Sequence, residues 1–137
     1  MASVGASNAP SGKIVTFEAA SDLSSYQYRA VQVNSSGRVS YGTGGSGVNT
    51  LPTVGVLQNK PAGTARAAEI MVNGVSKIYV EAAVTIGNTI TFGTAGGGSA
   101  LPSTGTVAAL GICTKSADTA GDIGEVLILP HLWVKPT

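Results

Sequence analysis

The chain is poor in the side chains that carry out chemistry. It holds one cysteine, Cys113, and one histidine, His131, among 137 residues. A lone cysteine excludes a disulfide within the chain. One Cys and one His exclude a conventional zinc site, which draws most of its four ligands from those two types. Any Ser-His-acid or Cys-His arrangement would have to use His131, which lies between Pro130 and Leu132 rather than on a braced element. Charge is scarce as well: eight Lys/Arg and seven Asp/Glu make up 11% of the chain. The cations are scattered from Lys13 to Lys135, without the basic stripe of a nucleic-acid binder. The carboxylates fall in turns (Asp22, Asp118, Asp122) or at strand starts (Glu69, Glu125), and no spacing pairs them for acid–base work. No apolar run approaches the roughly 20 residues of a membrane-crossing helix. The N-terminus lacks the basic start and apolar core of a secretion signal, so synthesis in the cytoplasm is expected. Together these absences predict a protein that is not an enzyme, with no cofactor, no metal and no small-molecule substrate.

What the chain has is glycine, nineteen residues of it, and a segment used twice. Tyr41-Gly-Thr-Gly-Gly-Ser-Gly-Val-Asn-Thr-Leu-Pro-Thr53 is echoed by Phe92-Gly-Thr-Ala-Gly-Gly-Gly-Ser-Ala-Leu-Pro-Ser103. Each copy follows β-branched residues and leads into another apolar run, Val54–Leu57 or Val107–Ile112. The pattern is strand, flexible loop, strand. Gly42-Thr-Gly-Gly-Ser-Gly47 satisfies Gly-x-Gly-x-x-Gly, but it runs into Val48-Asn-Thr-Leu-Pro52, which cannot open the helix a dinucleotide site requires.

Short alternating segments follow one another along the chain. Val31 and Val33 flank Gln32, and the turn residues Asn34–Gly37 lead back through Arg38–Tyr41, a clear hairpin. Ile70 and Val72 share one face, Asn73-Gly74 is a two-residue hairpin signal, and Ile78 and Val80 share a face after it. Ile90 and Phe92 alternate with threonines. The last run, Glu125–Leu129, is apolar without a break, which predicts burial on both sides, and Pro130 closes it. About eight to ten short strands with regular turn signals predict an all-β fold, a small barrel or sandwich. Residues 1–12 are small and polar and read as a flexible arm, 13–130 as one β domain, and 131–137 as a C-terminal tail. The tail holds the only tryptophan. Trp133, between Leu132 and Val134, is too apolar to stay in water and must fold back or anchor on a partner. Cys113 sits in an apolar run and reads as a small buried hydrophobe.

The order of four stretches resembles the capsid-cement, or head decoration, proteins of tailed bacteriophages. They are Tyr26–Asn34, Val54-Gly-Val-Leu-Gln-Asn-Lys-Pro-Ala-Gly63, Ala68-Glu-Ile-Met-Val-Asn-Gly-Val-Ser-Lys77, and Leu110-Gly-Ile-Cys113 with Gly121–Pro130. The resemblance spans residues 13 to 130 and lies in order and spacing rather than in any one motif. It implies a compact β-barrel-like domain, usually a homotrimer, on the outer face of an icosahedral head, where it bridges major capsid subunits. It implies no catalytic residues, no nucleic-acid partner and no membrane. The contacts to capsid or neighbouring copies are expected in the arm and the glycine loops, with Val4, Pro10, Ile14, Tyr41, Gly44, Gly45, Phe92, Gly97, Leu132 and Trp133 as candidates. The alternative is a carbohydrate- or surface-binding β module, for which Tyr26, Tyr28, Tyr41 and Tyr79 would supply the aromatic surface.

Overall fold

The computed structural model describes residues 12–43, 53–102 and 105–135. Nine strands account for most of them: β1 (Lys13–Glu18), β2 (Ala30–Val33), β3 (Val39–Tyr41), β4 (Thr53–Leu57), β5 (Ala67–Tyr79), β6 (Thr89–Phe92), β7 (Gly98–Ala100), β8 (Gly105–Lys115) and β9 (Ile123–Lys135). No helix occurs among the described residues. The strands form one antiparallel sheet in the order β3-β2-β4-β5-β9-β8-β6-β7, with β1 also on β5, and the sheet curls into a half-barrel. The β2–β3 hairpin forms where its turn chemistry places it. Asn34 Oδ1 accepts the backbone N–H groups of Ser36 and Arg38, both at 3.0 Å, and Gly37 takes φ +80°.

Asn73-Gly74 does not turn the chain. β5 continues through it, because both halves of this long strand find partners. Residues 67–73 pair with β1 and residues 74–79 with β9. Gly74, at φ +101°, supplies a bend that few other residues tolerate. The Asn73 side chain is engaged elsewhere, accepting the Lys13 N–H at 2.9 Å. The bend also changes the packing. Before it, Ile70 faces a small core with Leu23, Val31, Val39 and Leu57. After it, Ile78 faces the main core with Ile90, Phe92, Leu110, Val126 and Ile128.

β2 and β4 lie between these two cores. Ala30 and Val56 face the main core, while their chain neighbours Val31 and Leu57 face the smaller one. Alternation therefore buries both sides of these short strands, each large side chain contributing about 1.5–3 kcal/mol.

β9 departs from expectation twice. It continues past Pro130 to Lys135, so most of the expected tail is strand. Ala109 and Gly111 of β8 pair with His131 and Ile128, two steps on one strand against three on the other. The extra residue is taken up as a bulge at Leu129 and Pro130, where a residue without an N–H costs no ladder bond. Secondly, its apolar run is covered on one face only. Val126 and Ile128 are in the core, whereas Ile123 is 40% and Leu129 48% exposed.

Candidate functional site

The fold brings the two copies of the glycine segment together. Each leaves the sheet after an aromatic residue, Tyr41 at the end of β3 and Phe92 at the end of β6. They meet on the backbone of Ala30 in β2. Ala30 donates its N–H to the Gly96 carbonyl at 2.8 Å, and its own carbonyl accepts the Gly42 N–H at 2.8 Å. Glycine is required at this junction. A Cβ on Gly42 would lie 2.6 Å from the Phe92 ring, and one on Gly96, at φ +81°, 2.7 Å from the Ala30 oxygen.

Each segment is also held by one polar side chain. Gln32, buried on β2, accepts the Thr43 N–H through Oε1 at 3.0 Å. Glu81, half-buried after β5, accepts the N–H groups of Ala95 and Gly97 at 3.0 and 2.6 Å. Bonds from N–H to a carboxylate are the stronger kind. The second copy is thus a fixed turn followed by β7 rather than a flexible loop, whereas residues 44–52 of the first copy lie outside the described set.

Beside this junction runs a stack of aromatic rings and a cation. Tyr26 and Tyr41 lie face to face with centroids 4.3 Å apart and planes at 5°. The Arg29 guanidinium sits 5.1 Å from the Tyr26 ring and 4.0 Å from that of Tyr79, and donates to the Ala95 carbonyl at 3.1 Å. Lys77 stands over Tyr28 at 5.6 Å. Tyr28 has φ +64°, a conformation that costs a non-glycine residue free energy. It is held there by its N–H to Leu57 O at 2.7 Å and its carbonyl to Tyr79 N at 2.8 Å. The four tyrosines named as possible sugar platforms are therefore occupied with one another and with the two cations.

The expected contact residues are scattered. Ile14 on β1 is 43% exposed, Tyr41 is half-buried in the stack, and Trp133 is half-buried on β9. Phe92 is 1% exposed and belongs to the main core, where Ile78 and Ile90 join it. A side chain so placed holds the sheet together and offers no surface. Gly97 is buried beneath Glu81, which accepts its N–H at 2.6 Å. Leu132 pairs with Ala108 through the β9 backbone. Val4, Pro10, Gly44 and Gly45 lie outside the described residues.

The sequence reading missed a surface, the outward face of β5, β9 and β8. Val75, Leu127 and Ile112 are direct cross-strand neighbours and form one apolar row. Val75 is 37% exposed, and Ile123 and Leu129 extend the row along β9. A Lys77–Glu125–Lys115 row lies beside it in register. Of this face only Leu127 and Leu129 lie in the run Glu125–Leu129, and an unbroken run does not say which of its faces has cover.

The remaining reactive groups are not assembled. Cys113 is buried, its thiol bonded to the Lys115 carbonyl at 3.1 Å, and burial pushes its pKa up. The Asp22 carboxyl is drawn below its ordinary value by the Ser24 hydroxyl and then the Ser24 N–H. No group of three His, Cys, Asp or Glu side chains stands together among the described residues. The chain matches no protein-family model and no curated protein.

Proposed function

We propose that this protein is a structural subunit of a tailed-phage virion that seats on the outer face of the icosahedral head and cements its lattice, acting as a trimer. One observation carries the docking part of this reading. Val75, Ile123 and Leu129 stand exposed on one face of the sheet, with Leu127 and Ile112 half-buried between and beside them. Exposed rows of this kind on a rigid sheet mark surfaces that are covered by another protein. The order of motifs that resembles the decoration family supports the choice of partner, and the all-β half-barrel is compatible with it. Low charge density suits copies packed closely on one particle. Three linked weak contacts on a threefold site gain through effective concentration what one lacks.

The test is direct. Native mass measurement should give three times the chain mass of 13.6 kDa. Sedimentation with expanded heads of the cognate phage should carry the protein down saturably, and deletion of residues 2–12 should weaken that binding. A monomer at every concentration that also stays in the supernatant would overturn the reading.

A further inference from the structure

A cavity of about 420 Å³ opens between β6, β7, the turn before β6 and the far end of β9. Its volume lies within the range of about 300–1,000 Å³ typical of small-ligand sites. Trp133 forms one wall, and Ile90 and Leu101 add apolar surface. Thr85, Asn88 and Thr89 supply hydroxyl and amide groups, and none of the described lining residues is charged. Trp133 was the residue whose sequence position left its partner open.

Three features make this a prepared site. The turn is fixed by its backbone: Ile86 N–H donates to Ser116 Oγ at 2.8 Å, Gly87 N–H to Cys113 O at 2.8 Å, and Asn88 O accepts Cys113 N–H at 2.8 Å. The side chains of Thr85, Asn88 and Thr89 make no hydrogen bond to another described residue, so they remain available on a rigid base. The Trp133 Nε1–H is buried and meets no acceptor among the described residues. That buried, unpartnered donor fixes the indole edge inside the protein and leaves the ring face, not the N–H, as what Trp133 offers to the cavity.

The lining selects a chemical class. Without a countercharge, a phosphate or carboxylate would lose its water for nothing in return. A purely apolar ligand would leave the amide and hydroxyls of the rim unpaired. A neutral pyranose has both properties required: a face of C–H groups that packs on an indole ring, and hydroxyls that donate and accept. We propose that this cavity binds one neutral sugar unit of a glycan, with its ring against Trp133 and its hydroxyls on Asn88, Thr85 and Thr89. A protein on a particle exterior could then hold a cell-surface or environmental polysaccharide, a role separate from cementing.

Trp133 is the only tryptophan in the chain, so its emission reports on the cavity alone. The intact protein is titrated with methyl α-mannoside, methyl β-galactoside, glucose and N-acetylglucosamine, with glucose 6-phosphate and cyclohexanol as contrasts. At least one neutral sugar should shift the emission saturably and move the Asn88 side-chain amide resonance. Asn88→Ala should weaken that sugar about tenfold, the effect of one lost hydrogen bond, with an unchanged circular dichroism spectrum. The inference fails if no neutral sugar acts up to its solubility limit. It fails equally if cyclohexanol or the phosphate ester binds as well as the best sugar, or if Asn88→Ala changes nothing.

Discussion

Two residues in this chain hold a left-handed backbone without being glycine, Tyr28 at φ +64° and Ala65 at φ +65°. The same strain has different consequences at each. Ala65 is exposed, and its N–H bonds Ala19 O at 2.8 Å whatever its side chain. A left-handed conformation costs an L-residue about 1–2 kcal/mol. Glycine relieves that and loses about 0.4–1 kcal/mol through its freer unfolded chain. Ala65→Gly should therefore stabilise the protein by roughly 0.5–1 kcal/mol, seen as a higher urea midpoint with an unchanged slope. At Tyr28 the same relief is offset by loss of a half-buried ring and its contact with Lys77. The strain at Tyr28 is kept because it turns the chain so that Arg29 enters the tyrosine stack, and that stack borders the glycine junction.

At the scale of elements, what could be read in advance is what depends on neighbours in sequence. The β2–β3 hairpin, the alternation of Ile90 and Phe92, and the all-β class all follow from local pattern and turn chemistry. The failures share a cause: they depend on partners distant in sequence. Asn73-Gly74 has the composition of a turn, yet β1 and β9 supply partners to both halves of β5 and the chain stays extended. Pro130 has the character of a stop, but the bulge against β8 removes its penalty. The second glycine segment reads as a flexible loop in sequence until Glu81, eleven residues before Phe92, is seen to accept two of its N–H groups. That last case can be measured. Glu81→Ala leaves the buried Gly97 N–H and the half-buried Ala95 N–H without an acceptor and should cost about 2–3 kcal/mol, near the low end of about 1–3 kcal/mol for each group because water can reach Ala95. Glu81→Gln retains one acceptor oxygen and should cost less. Hydrogen exchange at Ala95 and Gly97 should accelerate in Glu81→Ala while the β2–β3 hairpin stays protected. Uniform acceleration across the sheet would show instead that Glu81 supports the whole fold.

For the whole molecule the decisive feature is an imbalance between the two faces of β9. The inner face is filled, with Val126 and Ile128 no more than 2% exposed, while Ile123 and Leu129 on the same strand stand open. A sheet built only to fold would carry polar residues on its outer face, as β5 does at Lys77. Covering an exposed large apolar side chain yields about 1–2 kcal/mol at the usual area coefficient. A few such residues are too weak to hold a single copy to a surface against the cost of association, which is several kcal/mol or more. Repeated in linked copies they suffice. The variant Val75→Lys with Leu129→Lys separates folding from docking, because both positions are already exposed and surface changes usually fall within about 0.5 kcal/mol. Its urea midpoint should match that of the parent. If the outer face joins copies, native mass should fall to that of the single chain. If it seats on the head instead, the trimer should survive while head binding drops by at least tenfold, because two hydrophobic contacts are replaced by two buried charges. Retention of both trimer and head binding would remove this face from the docking surface and leave the glycine junction, with its tyrosine stack, as the place to look.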